Sequence, residues 1–349
     1  MLQSPQESRA VGADSGAHVN EAVYAALDLG TNNCRLLIAA SQPPGESQNG
    51  LPAPAIRVYD SFSRIVRLGE GVSATGMLSD DAMERTLSAL QACQKKLNKY
   101  RLADTRFVAT EACRRAGNGR EFLDRVNDET GIHIDIISSE EEARLAFVGC
   151  SSLLNKGTKR AIVFDIGGGS TELMWIDVDS VHDKTARPII DWMSVGCGVM
   201  NLADRFGGAG FAELAFEDMV GFLIEKMQAF DHTNEIGKTI EDATVQLLST
   251  SGTVTTLAAI HLDLPRYDRS RIDGITVQTG DIRKTIQKLL AMRPYERFNH
   301  PCIGPDRADF IISGCAIFEA INRLWPTGQI TIADRGVREG IILSLIRGI

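Results

Sequence analysis

The residues of this chain best suited to chemistry are carboxylates beside glycine turns, and they occur in two similar settings 137 residues apart. The first is Ala25-Ala26-Leu27-Asp28-Leu29-Gly30-Thr31-Asn32-Asn33. The second is Val163-Phe164-Asp165-Ile166-Gly167-Gly168-Gly169-Ser170-Thr171-Glu172. Each is an apolar run, an Asp, one apolar residue, then Gly with small hydroxyl or amide side chains. Glycine turns let main-chain N–H groups approach an anion. Asp28, Asp165 and Glu172 add hard oxygen ligands of the kind Mg²⁺ shares with phosphate oxygens. The chemistry this predicts is phosphate handling with a divalent cation. The plainer readings are a hairpin turn at residues 167–172 and an Asx-type turn at Asp28, although three successive glycines exceed what a hairpin turn requires.

Other segments offer supporting groups. Glu140-Glu141-Glu142-Ala143-Arg144 reads as a helix start, with Glu140 and Glu141 solvated and one glutamate free to turn into a cleft and direct a water molecule. Ser251-Gly252-Thr253 follows a strand at a helix start, where it either binds a second phosphate or simply caps the helix. Arginines recur in turns, at Arg64 and Arg67, Arg114 and Arg115, Arg266, Arg269 and Arg271, and Arg335 and Arg338. Arg binds phosphate bidentately, so some of these are expected to face ligand while others solvate the surface. The sequence has no Walker A or Rossmann glycine signature, no paired zinc-type histidines and no cysteine-phosphatase loop. With no obvious nucleophile, direct attack by water is the economical mechanism.

These groups need elements to hold them. Residues 24–40 read as strand, glycine turn and strand. A Pro-, Gly- and Ser-rich loop over residues 41–55 leads to a strand over 56–68. Ser79 or Asp80 caps a helix reaching about residue 100. Strands follow at 105–110 and 132–137, and Ser138 or Ser139 caps the helix carrying the glutamates. The pattern restarts at Arg160 with strand, turn and strand. A strand at 245–249 then runs into Ser251, an apolar helix covers 309–324, and a last strand at 329–333 precedes the closing helix. Alternating strands and helices in both halves predict an α/β protein of two similar lobes. The expected units are a flexible tail at residues 1–20, one domain at 21–147 and another at 148–349, with the last helix free to pack back on the first.

Bulk properties narrow the partners. A length of 349 residues favours two domains. The net charge of −8 disfavours a general nucleic-acid binder but leaves room for a small or linear polyanion gripped by local arginines. No apolar run is long enough for a bilayer and the first 20 residues are polar, so no membrane association and a cytoplasmic location are expected. Seven singly spaced cysteines argue against a disulfide framework and a zinc site.

Taken in order, Asp28-Leu29-Gly30-Thr31-Asn32, Arg67-Leu68-Gly69-Glu70-Gly71, Glu141-Glu142-Ala143-Arg144, residues 165–172, Ser251-Gly252-Thr253 and Arg338-Glu339-Gly340 resemble the exopolyphosphatase/guanosine pentaphosphate phosphatase (Ppx/GppA) family. The resemblance runs from about Tyr24 to the C-terminus. It implies an actin-like fold of the sugar kinase, Hsp70 and actin group, with duplicated mixed-sheet domains around a cleft. It gives Glu142 the role of catalytic base and Asp165 and Glu172 that of metal and phosphate-site carboxylates, and Asp28 is expected beside them as a metal ligand. Gly167 falls in the phosphate loop, and Arg114 reaches the substrate phosphates. Further phosphate contacts are expected from Gly168, Gly169, Ser170, Thr171, Asn32, Arg67, Ser251, Gly252 and Thr253. Implied partners are polyphosphate or guanosine pentaphosphate, Mg²⁺ alone or with a monovalent cation, and a second copy in a homodimer. Two departures stand out. Thr31-Asn32-Asn33 replaces the Ser-Asn-Ser of many members, and the chain stops at Ile349 without the helical C-terminal domains of long members. The expected activity is exopolyphosphatase. Its rivals are guanosine pentaphosphate hydrolysis, phosphotransfer to ADP, and non-hydrolytic alarmone sensing.

Overall fold

The computed structural model describes residues 21–42, 55–155, 157–182, 187–207, 213–242 and 244–348. The expected tail at 1–20 and most of the loop at 41–55 lie outside them.

Two hairpins built from the apolar runs organise the two lobes. In the first lobe, β1 (Val23–Leu29) pairs antiparallel with β2 (Asn33–Ser41), which pairs antiparallel with β3 (Ile56–Ile65). On its other side β1 runs parallel to β4 (Leu102–Ala109), and β4 to β5 (Asp135–Ile136). The second lobe repeats this plan. There β6 (Arg160–Ile166) pairs with β7 (Thr171–Asp177) and β7 with β8 (Ile189–Val195), both antiparallel. Parallel to β6 runs β9 (Val245–Ser249), and parallel to β9 runs β11 (Gln329–Ile332), with β10 (Thr276–Gln278) added at the edge. The orders β3-β2-β1-β4-β5 and β8-β7-β6-β9-β11 therefore coincide. This is the expected two-lobed actin-like fold.

The expected strand at 132–137 shrinks to Asp135–Ile136. Ile132 and Ile134 are buried, but only Val108 and Ala109 of β4 offer ladder partners, so the chain is extended without forming a longer strand. The other elements start and stop close to their signals. Ser79 and Ser138 cap their helices by accepting from Ala82 N and Glu141 N, and an acidic first turn follows each.

Each sheet is covered on both faces. The first carries the helices Asp80–Leu97 and Gly119–Thr130 on one side. Its other face meets the Val337–Arg347 helix, whose Val337, Ile341 and Ile342 pack with Ala26, Leu37 and Ala39. The Ser139–Cys150 helix joins the lobes: Leu145 and Ala146 pack in that same cluster, while Ala143, Phe147 and Cys150 pack with Ala161, Val163 and Met174 of the second lobe. The two helices cross nearly backbone to backbone. A β-carbon at Gly340 would lie 1.9 Å from the Leu145 carbonyl oxygen, and one at Gly149 would lie 2.2 Å from that of Gly336. Only glycine permits this crossing, which sets Glu142 near the junction of the lobes. All seven cysteines are free and buried. No described helix is long and apolar enough to cross a membrane.

Candidate active site

The β1–β2 and β6–β7 turns face each other across one cavity of about 140 Å³. Its walls include Asp28, Asn32 and Arg35 from the first lobe and Asp165, Gly168 and Thr253 from the second, with Glu142 between them. That volume suits a phosphoryl group and a few waters, given the ~30 Å³ a water occupies in the liquid.

The two turns share a construction. Gly30 N donates to Asn33 O, and Gly167 N donates to Ser170 O, each at 2.9 Å. Beyond these, the carbonyls are tied away from the cleft. Those of Gly167 and Gly168 accept from Val199 N and Met200 N, and that of Gly169 accepts from Asn201 Nδ2. In a trans peptide the N–H points opposite the carbonyl, so the N–H groups of Gly168, Gly169 and Ser170 are aimed away from the Val199–Arg205 helix that carries these partners. Among the described residues they meet no protein acceptor. In the first lobe the Thr31 carbonyl accepts from Gly69 N, which turns the Asn32 N–H in the same sense.

The glycines also serve the close approach of the two turns. None of Gly30, Gly167, Gly168 and Gly169 has a positive φ, so the loop does not need left-handed backbone. Instead, a β-carbon at Gly168 would sit 3.2 Å from the β-carbons of Asn32 and Thr31, and one at Gly169 would sit 2.9 Å from Thr31 Oγ1. The glycines let the two turns meet.

Asp28, Glu142 and Asp165 line the cavity, Glu172 stands opposite Asp165 in the β6–β7 ladder, and burial raises the proton affinity of all four. Burial pushes Asp165 up to about 6, with Arg35 opposing and Asp28 reinforcing the shift. Burial likewise pushes Glu172 up to about 7, against hydrogen bonds from Ser170 Oγ (2.6 Å) and Ser194 Oγ (3.0 Å). Glu142 is held well above the usual carboxylate range by burial and then by the Glu172 charge, and Asp28 is raised by burial. Among the described residues no three His, Cys, Asp or Glu side chains stand close enough to hold a metal unaided. Mg²⁺ commonly takes one or two carboxylates plus phosphate oxygens and water, so this donor set fits it.

Several expected residues have partners within the protein. Arg114 donates to Ile137 O at 2.7 Å and to Glu111 Oε2 at 2.6 Å, with Glu142 Oε2 3.3 Å from its Nη2. It grips the candidate base. Thr171 Oγ1 is buried and donates to Cys197 O, away from the cleft. Ser251 is fully buried and its hydroxyl caps the Gly252–His261 helix by accepting from Thr253 N, the plainer of its two readings, whereas Gly252 and Thr253 do line the cavity. Arg67, held at φ 48°, leans across the lobes to Asp309 (3.4 Å) and over the Phe310 ring. Glu140 is exposed, but Glu141 is not simply solvated: it pairs with Arg106 and Arg144.

Arg35 was not among the expected site residues. It lies on β2 opposite Asp28, lines the cavity, and reaches across it: a β-carbon at Gly252 would sit 3.9 Å from Arg35 Nη2. It makes no ion pair among the described residues. A sequence signal existed, because Arg35 follows Asp28 by the same seven residues that separate Glu172 from Asp165.

The profile described as "Ppx/GppA phosphatase family" matches residues 50–348. The chain is 29% identical over 334 residues to Exopolyphosphatase 2 of Mycobacterium tuberculosis, covering 92% of this chain and 98% of that protein. It is 28% identical over 332 residues to a bifunctional 3-dehydroquinate synthase/phosphatase of Fusobacterium nucleatum, covering 93% of this chain but spanning only 47% of that relative. Its fold superposes on the crystal structure of the Aquifex aeolicus Ppx/GppA family member with a TM-score of 0.71 at 27% identity, covering 94% of this chain and 98% of the other. Matching profile, duplicated lobes and facing turns agree: the chain belongs to the Ppx/GppA phosphatase family.

Proposed function

We propose that the protein is an exopolyphosphatase, releasing inorganic phosphate from the end of a polyphosphate chain. The observation that carries this reading is one small cavity with Glu142 on its wall and the outward-facing amides of residues 168–170 across from it. Related proteins carry the name exopolyphosphatase, which supports the substrate class.

In this reading the terminal phosphoryl oxygens accept from the N–H groups of Gly168, Gly169 and Ser170, and Arg35 approaches from the opposite wall. Glu142 accepts a proton from a water molecule as that water's oxygen bonds to the terminal phosphorus. The bridging P–O bond breaks, and its electrons leave with the shortened chain. Glu142 must be ionised to do this, and Arg114 favours that form. Asp165, Glu172 and Asp28 would hold Mg²⁺, which supplies charge neutralisation on the phosphate oxygens. Positioning and electrostatics carry most phosphoryl-transfer catalysis, in keeping with a site rich in backbone donors and lacking a nucleophile.

The test is phosphate release from long polyphosphate and from guanosine pentaphosphate, each with and without Mg²⁺, by the parent chain and by Glu142→Ala. The parent should release phosphate from polyphosphate, and the variant should be slower by roughly 10²–10⁴-fold. Near-normal release by Glu142→Ala would overturn the role of Glu142. Preference for guanosine pentaphosphate would reassign the substrate, and ADP-dependent consumption of polyphosphate without free phosphate would reassign the reaction.

A further inference from the structure

The segment that follows β4, Glu111-Ala112-Cys113-Arg114-Arg115, reads in sequence as a basic turn, yet the fold neutralises it from within. Glu111 Oε2 lies 2.6 Å from Arg114 Nη2, and Glu111 Oε1 lies 3.8 Å from Arg115 Nε. The Glu111 side chain is only 14% exposed and lines the same cavity as Glu142. Across the cleft it abuts the glycine loop, since a β-carbon at Gly169 would fall 3.1 Å from Glu111 Cγ. An acid therefore stands beside amides that are aimed at an anion. Local structure does not demand it. Glu111 opens a five-residue helix, where an acid adds only a modest interaction with the helix dipole and glutamine would propagate the helix as well.

We infer that Glu111 is an internal counter-anion for Arg114, occupying its guanidinium until a phosphoryl oxygen displaces the carboxylate. It thereby sets how tightly the cleft holds condensed phosphate and released phosphate. Glu111 is a positioning residue acting through Arg114, and the inference rests on the proposed phosphate chemistry of the cleft. Arg114 bound to Glu111 still steadies Glu142, so the base stays oriented in the empty enzyme. Once displaced, Glu111 repels the anion that replaced it. This weakens ground-state binding of substrate and product together, which favours turnover over product retention.

Glu111→Gln keeps the size of the side chain and removes its charge. It should lower KM for polyphosphate and the inhibition constant of inorganic phosphate by a common factor of about fivefold, as for a partly exposed ion pair, without raising kcat. In an Arg114→Gln background the same change should move neither constant. An unchanged or raised KM in Glu111→Gln would overturn the inference, as would an equal shift in both backgrounds. So would a higher Mg²⁺ concentration for half-activity, which would make Glu111 a cation ligand. Calorimetric binding of inorganic phosphate gives a second readout. Glu111→Asp, whose shorter carboxylate loses the 2.6 Å contact, should also bind phosphate more tightly and serves if the glutamine variant fails to fold. A parent chain that hydrolyses no polyphosphate would sink the proposed function, while phosphate binding by the variants would still test Glu111.

Discussion

The β1–β2 and β6–β7 turns use one backbone device with different charge. In both, an Asp leaves the strand two residues before a glycine whose N–H closes the turn, and a second residue stands directly opposite that Asp in the ladder. In the first lobe the opposite residue is Arg35; in the second it is Glu172. The pair Asp28–Arg35 is formally neutral, whereas Asp165–Glu172 is doubly negative when ionised. Placed face to face, they give one wall able to attract phosphate and another able to attract a cation that phosphate shares. A duplicated hairpin thus becomes an asymmetric site through one ladder position.

Exchanging charge at that position tests the asymmetry most severely. Arg35→Gln should raise KM for polyphosphate roughly 10- to 100-fold, the range for losing a hydrogen bond to a charged group, with little change in Mg²⁺ requirement. Glu172→Gln should do the reverse, raising the Mg²⁺ concentration needed for half-activity. If both variants move the same constant, the two walls are not distinct in function.

A smaller effect separates the glycines. Gly168→Ala should reduce kcat/KM about tenfold, because its new methyl would crowd Asn32 and Thr31 and misplace the facing turns by tenths of an ångström. Gly30→Ala meets only Asn33 O at 3.6 Å, an ordinary contact, and should stay within about twofold. Equal losses at the two positions would contradict the account of the glycines as spacers between lobes.

The smallest effect concerns stability. Asp165 and Glu172 hold protons more tightly folded than unfolded, up to about 6 and about 7. Without divalent cation the native state therefore binds more protons over pH 4–7, and stability falls as pH rises through that window. If the ionised forms hold Mg²⁺ as proposed, it should raise Tm by a few degrees at pH 8 and by less at pH 5. A larger Mg²⁺ effect at pH 5 would refute the assignment of these carboxylates to the cation.

Much of this was legible in the sequence, because its signals are local. Apolar runs broken by Asp-x-Gly marked β1 and β6, Ser79 and Ser138 marked helix starts, and the repeat itself marked two lobes. What stayed hidden depends on which way a side chain turns once tertiary partners compete for it. Thr171 and Ser251 carry the right hydroxyls, but Cys197 O and Thr253 N engage them. Glu111 looked incidental beside two arginines until folding set it between them and the glycine loop. Arg35 could have been found by carrying the seven-residue offset from the second hairpin to the first.

The crossing of the Ser139–Cys150 and Val337–Arg347 helices also bears on how the chain is made. The first lobe completes its apolar face only with residues 337–347, which follow the entire second lobe in the sequence. During synthesis Ala26, Leu37 and Ala39 must wait, uncovered, while almost 200 further residues are added after Cys150. The first lobe is thus dependent for its maturation on the last helix, and a fragment ending at Cys150 would present an aggregation-prone sheet to its surroundings. Successful closure of Gly340 onto Leu145 marks the end of folding as well as the join between the lobes.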